Sequence, residues 1–180
     1  VVAFEPSAEL GNEPDYRLVQ DTFVTMFRDS GLLESTTGWL TGRGYQVVAL
    51  DAVGWLGEPD LHRDLALALR FPDYYGRNLD ALNDCLRDVA AWEYGADPAA
   101  AGLVLVLRHY DRFAARQPGV AHAVLDIFAG RARGGALIGH RMMCLVQSDD
   151  PGLRFPPVGA TPVMWNDAEW LDSARGGPKD

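Results

Sequence analysis

Three aspartates, Asp80, Asp84 and Asp88, recur at four-residue intervals in FPDYYGRNLDALNDCLRDV, residues 71–89, just after a pair of tyrosines. At about 100° per residue in a helix their carboxylates lie along one side. Like charges at that spacing cost about 0.2–0.5 kcal/mol per pair. Leu82, Leu86 and Val89 fall roughly opposite, with Leu79 on their flank, so the acidic side faces solvent by construction. Such residues are open to three readings: acid–base or metal chemistry at the Asp80 and Asp84 pair, docking of a cationic partner, or an ordinary solvated helix face.

Catalysis and metal binding are disfavoured by what accompanies the pair. His62, His109, His122 and His140 match no H-E-x-x-H or Cys-His metal spacing, and the chain has no G-x-S-x-G elbow or phosphate-binding glycine loop. The glycines of GGALIGHRMM follow a helix and precede a strand, the reverse of the phosphate-binding order. Cys85 and Cys144 are too few and too far apart for a disulfide framework, and they read as buried thiols in a reducing compartment. No catalytic, metal-binding or cofactor-binding residue is assigned, and no cofactor is expected.

Docking draws support from the neighbours. Tyr74 and Tyr75 lie beside the charges, and an exposed tyrosine next to carboxylates is typical of binding hot spots. One of the two equally fits the core, with its hydroxyl satisfied at the rim. Gly76 permits a sharp turn and Asn78 can cap the helix start. Carboxylates spaced like phosphates suit an arginine-rich cleft that forms bidentate contacts.

The whole chain agrees with this choice. Its 180 residues fit one decorated domain, and 48% hydrophobic content permits a real core. The formal charge is -9, and residues 71–97 hold six acids against two bases, so four of the nine net negative charges sit in this window. That balance disfavours a nucleic acid as partner and leaves a basic protein as the natural one. No stretch approaches the roughly 18 apolar residues of a membrane span. The start, VVAFEPSAEL, lacks a basic region followed by an apolar targeting segment, and a cytoplasmic location is expected.

Several elements must position these residues. Residues 1–14 read as a leader. The spacing of Tyr16, Val19, Phe23, Met26 and Phe27 predicts a helix over 15–29, and a second covers 35–41. YQVVAL predicts a short buried strand, followed by a helix through LHRDLALALR that Asp60 caps and Pro72 ends. A helix over 79–90, the strand GLVLVL, a helix over 120–133 closed by Gly134 and Gly135, and the strand MMCLVQ follow. Beyond Asp150, an edge strand at 163–165 and a helical turn at 167–171 precede a loose tail, DSARGGPKD. Apolar strands separated by helices imply a parallel sheet covered by helices.

FPDYYGRNLDALNDCL closely resembles the signature of the barstar family, small intracellular inhibitors of ribonucleases such as barnase. The flanking strands, LHRDLALALRF and AVLDIFAGRA occur in the family order, so the resemblance spans about Tyr45 to Ser148. It implies an α/β fold with a small three-stranded parallel sheet, an N-terminal helical extension over 1–44 packed on the core, and a C-terminal extension over 149–180. The implied function is not catalytic: a cytoplasmic, antitoxin-like monomer blocks the basic active-site cleft of a ribonuclease, touching neither nucleic acid nor membrane. By matching positions, Tyr74 packs on the enzyme, Gly76 approaches it, Asp80 pairs with its basic groups, and Asp84 inserts among its catalytic arginines and histidine. Asn78 shapes the loop. Asn83 and Val89 stand where the family prototype has tryptophans, Arg87 where it has a contacting threonine, and Gly130 where it has an outlying glutamate. Those departures keep an alternative open, a regulatory module on the same scaffold with a non-ribonuclease partner.

Overall fold

The computed structural model describes residues 13–171 and Arg175. The expected leader, up to residue 12, and the tail other than Arg175 lie outside the described residues. Helices α1 (Pro14–Gln20), α2 (Ser30–Gly42), α3 (Glu58–Ala68), α4 (Leu79–Ala90), α5 (Tyr110–Arg116) and α6 (Pro118–Leu137) surround strands β1 (Val24–Phe27), β2 (Gln46–Asp51), β3 (Leu103–Arg108), β4 (Met142–Gln147) and β5 (Met164–Trp165).

The strands of the sheet pair in parallel, in the order β2-β3-β4-β1-β5. Residues of β3 and β4 are apolar without alternation because both faces are covered. Leu103, Leu105, Leu107, Met142, Cys144 and Val146 point into a core shared with α3, α4, α5 and α6. Val104, Val106, Met143 and Leu145 point into a second core with Leu33 and Leu40 of α2. The sheet is thus sandwiched between helix layers.

Among the described residues the sheet has five strands rather than the expected three. One addition is the predicted C-terminal edge strand, shortened to β5. The other replaces the second half of the helix predicted over 15–29: α1 stops at Gln20 and Val24–Phe27 becomes β1, buried on both faces between β4 and β5. A short apolar run satisfies either period, and pairing with β4 decides it. Thr22 marks the change, its hydroxyl exchanging two 3.0 Å hydrogen bonds with the backbone of Val24.

Other expectations shift by local chemistry. Helix α2 begins at Ser30 because Asp29 caps it, its carboxylate accepting from the Leu32 N–H at 2.9 Å. Asp60 does not cap α3; Gly57 holds that position, with Pro59 in the first turn, while the Asp60 carboxylate accepts from the Leu56 N–H. Helix α3 ends at Ala68, ahead of Pro72, with Arg70 in left-handed geometry. Helix α6 runs through Gly134 and Gly135 to Leu137. A Cβ at Gly135 would come within 3.1 Å of the His140 carbonyl, so the backbone approaches closely where the helix meets the chain leading to β4. Strand β2, expected to be buried, is a half-exposed edge. Helix α5 went unpredicted; Tyr110 and Phe113 on it pack edge-to-face against buried Trp55.

Candidate functional site: the acidic helix and its loop

Helix α4 has the face that its sequence dictates. Leu82, Cys85, Leu86, Val89 and Ala90 are buried, whereas Asp80 and Asp84 are exposed and Asp88 is half-buried. Asn78 caps the helix, its side-chain oxygen accepting from the Ala81 N–H at 2.8 Å. Asp80 lies in the first turn, where the helix dipole favours a carboxylate. That alone accounts for one acid of the stripe; Asp84, mid-helix and 64% exposed at its side chain, has no such structural reason.

The two tyrosines divide. Tyr74 is 78% exposed, while Tyr75 is buried with its hydroxyl against Nδ1 of His62. His62 is itself fully buried, and its Nε2 lies 2.9 Å from a Glu58 carboxylate oxygen. A carboxylate requires a donor, so Nε2 carries a proton, and in the neutral ring Nδ1 accepts from the Tyr75 hydroxyl. Phe71 packs edge-to-face on both Tyr75, with ring centroids 4.8 Å apart, and Tyr94, at 6.2 Å. Helix α3 therefore holds the loop from behind and leaves Tyr74 in front. The left-handed residue of this loop is Arg77, not Gly76. Space at Gly76 is tight, since a Cβ there would come 3.3 Å from the Asn78 amide nitrogen and 3.4 Å from the Ala81 Cβ.

The remaining candidates differ in what they present. Asn83 turns toward α6, where its oxygen accepts two hydrogen bonds from Arg131, at 2.9 and 2.7 Å. Val89 is fully buried in the core, and Gly130 is exposed on α6. Arg87 lies between Asp84 and Asp88, 3.2 Å from each. The Tyr94 hydroxyl donates to the other Asp88 oxygen at 3.3 Å. Asp88 is therefore engaged within the molecule, while Asp80 and Asp84 face solvent.

Two buried groups behind this surface lacked a clear sequence signal. His140 donates from Nδ1 to the Ala90 carbonyl at 2.9 Å, closing the exposed end of α4, and stacks on Trp92 at 4.3 Å. Burial pushes its imidazole below its ordinary range, only partly opposed by that hydrogen bond. His62 carried a faint signal, a histidine beside the apolar positions of α3. Burial raises the Cys85 and Cys144 thiols, as expected for inert packing groups. Among the described residues, no three His, Cys, Asp or Glu groups could hold a metal, and no helix is long and apolar enough to cross a membrane.

The fold and surface together define an α/β protein that displays an acidic helix and a tyrosine loop on a braced scaffold. Residues 45–147, from the approach to β2 through the end of β4, match the family described as Barstar (barnase inhibitor), and the chain belongs to that family. A segment of 26 residues is 77% identical to a protein of Bacillus subtilis (strain 168) named "Putative ribonuclease inhibitor YrdF". That similarity covers 14% of this chain and 29% of the relative. Strands β1 and β5 lie outside the family region.

Proposed function

We propose that this protein inhibits a ribonuclease by occupying its basic active-site cleft with α4 and the loop before it. Family membership supplies the inhibitor reading. The observation that carries the site is the joint exposure of Tyr74, Asp80 and Asp84 on a loop and helix held from behind by His62, Tyr75 and the Asn78 cap. Asp84 takes the central place among the catalytic cations, Asp80 pairs beside it, and Tyr74 packs on the cleft wall. Gly76 and Asn78 shape the approach, and Asn83 and Arg87 border it. Such preorganisation lowers the ordering cost of binding. The protein acts by binding alone, as a monomer in the cytoplasm, without cofactor, membrane or direct nucleic-acid contact.

The test is to capture small basic nucleases from the same genome on the full chain and measure RNA cleavage with and without it. Dose-dependent inhibition that disappears with Asp84→Lys supports the reading. Inhibition unchanged in both Asp84→Lys and Asp80→Lys sinks the site assignment. Capture of a different protein with no nuclease bound favours the regulatory-module alternative.

A further inference from the structure

Arg87 is a charge that a surface built only for a cationic cleft would lack. Its side chain is 59% exposed, with Nη1 3.2 Å from Asp84 Oδ1 and Nε 3.2 Å from Asp88 Oδ1. Asp88 is fixed from behind by Tyr94, so the arginine spans one carboxylate held by the scaffold and one offered to the partner. Folding supplies little reason for it, because an exposed ion pair within one helix contributes only about 0.3–0.5 kcal/mol. Docking on a uniformly cationic surface supplies a reason against it: Arg87 would repel the cleft and compete with it for Asp84.

A partner arginine that takes Asp84 in a forked contact must displace Nη1 of Arg87. The guanidinium can keep Asp88 through Nε, but its released donors then face the partner. Covered without an acceptor, they would carry the penalty of an unpaired buried charge.

We propose that Arg87 is a specificity-determining contact, and that the ribonuclease it fits carries an acidic side chain beside its cationic cleft. This side chain receives Arg87 as the cleft receives Asp84. The inference rests on the docking reading above and narrows it: ribonucleases with a basic or apolar rim at that place are rejected by the same residue.

The test measures association and dissociation rates of the full chain and its Arg87→Gln, Arg87→Glu and Asp84→Lys variants against a panel of purified small basic ribonucleases. For each enzyme that the parent inhibits, Arg87→Gln is expected to weaken binding about tenfold or more, chiefly through faster dissociation, and Arg87→Glu further. Reversing the acidic rim residue of the enzyme to lysine is expected to restore binding to Arg87→Glu. If Arg87→Gln binds as tightly as the parent or tighter, or if no rim reversal rescues Arg87→Glu, the proposal is overturned. Loss of inhibition in Asp84→Lys would then show that the docking reading itself survives. If Asp84→Lys inhibits like the parent, or no enzyme of the panel is inhibited, the docking reading fails and this proposal with it.

Discussion

Asp84 projects from the middle of α4 into solvent, where among the described residues it pairs with the exposed Arg87. Reversing its charge therefore disturbs little within the fold, where exposed substitutions usually stay within about 0.5 kcal/mol. In the proposed complex the same change leaves cleft cations unanswered and costs binding about 2–5 kcal/mol or more. Asp84→Lys is accordingly expected to abolish inhibition with the circular dichroism spectrum and urea midpoint nearly unchanged; a collapsed midpoint would assign Asp84 to folding instead. Tyr75 behaves in the opposite way. Tyr75→Phe leaves buried His62 Nδ1 without its hydrogen-bond partner and should lower stability by about 1–3 kcal/mol in urea unfolding. Retained stability would show that the buried hydroxyl contact contributes nothing net. The asymmetry between adjacent tyrosines was visible in sequence only as a choice of one for the core and one for the surface.

At the scale of elements, α4 is a presented helix whose two ends are fastened, by Asn78 at its start and His140 at its finish. Burial of the His140 ring favours its neutral form, while the hydrogen bond to Ala90 survives protonation and partly opposes that preference. Because burial lowers the folded value below the unfolded value of about 6.5, the unfolded chain takes up protons first on acidification. The stability that comes from burying the neutral ring is therefore fully present above that unfolded value and is lost as pH falls below it, levelling off under the folded value. Urea unfolding between about pH 7 and 5.5 should show declining stability, and His140→Gln should flatten that slope. An unchanged slope would place the titration on another group. The helix itself was legible from its leucine spacing and cap residue. Its fastening was not, because His140 and Ala90 are fifty residues apart and no local pattern links a histidine to a distant carbonyl.

Across the whole molecule, the chain outside the family region completes the sheet. Strands β1 and β5 extend it beyond β4, and buried Glu169 accepts from the backbone N–H groups of Arg28 and Asp29, both at 2.9 Å, where β1 leads into α2. Arg175, placed by sequence in a loose tail, is instead buried, donating to the carbonyls of Glu169 and Trp170 and lying 4.7 Å over the Trp165 ring. Glu169→Ala should cost at least about 1–3 kcal/mol in urea unfolding by orphaning two donors, while inhibition at low denaturant persists because the residue belongs to neither α4 nor its loop. Equal losses of stability and inhibition would tie the extension to the binding surface. Association should also slow as salt rises, since an acidic face meeting a basic cleft is steered by screened charge. A salt-independent association rate would move the docking face elsewhere. Sequence by itself determined what depends on neighbours along the chain: the polarity of α4, its cap, and the unbroken apolar strands β3 and β4. Tertiary structure alone decided that residues 24–27 form a strand, which tyrosine is buried, that Asn83 turns to Arg131, and that His140 closes α4. Each of these is settled by a backbone ladder, a buried face or a polar partner supplied from elsewhere in the chain, where the local period permits more than one answer.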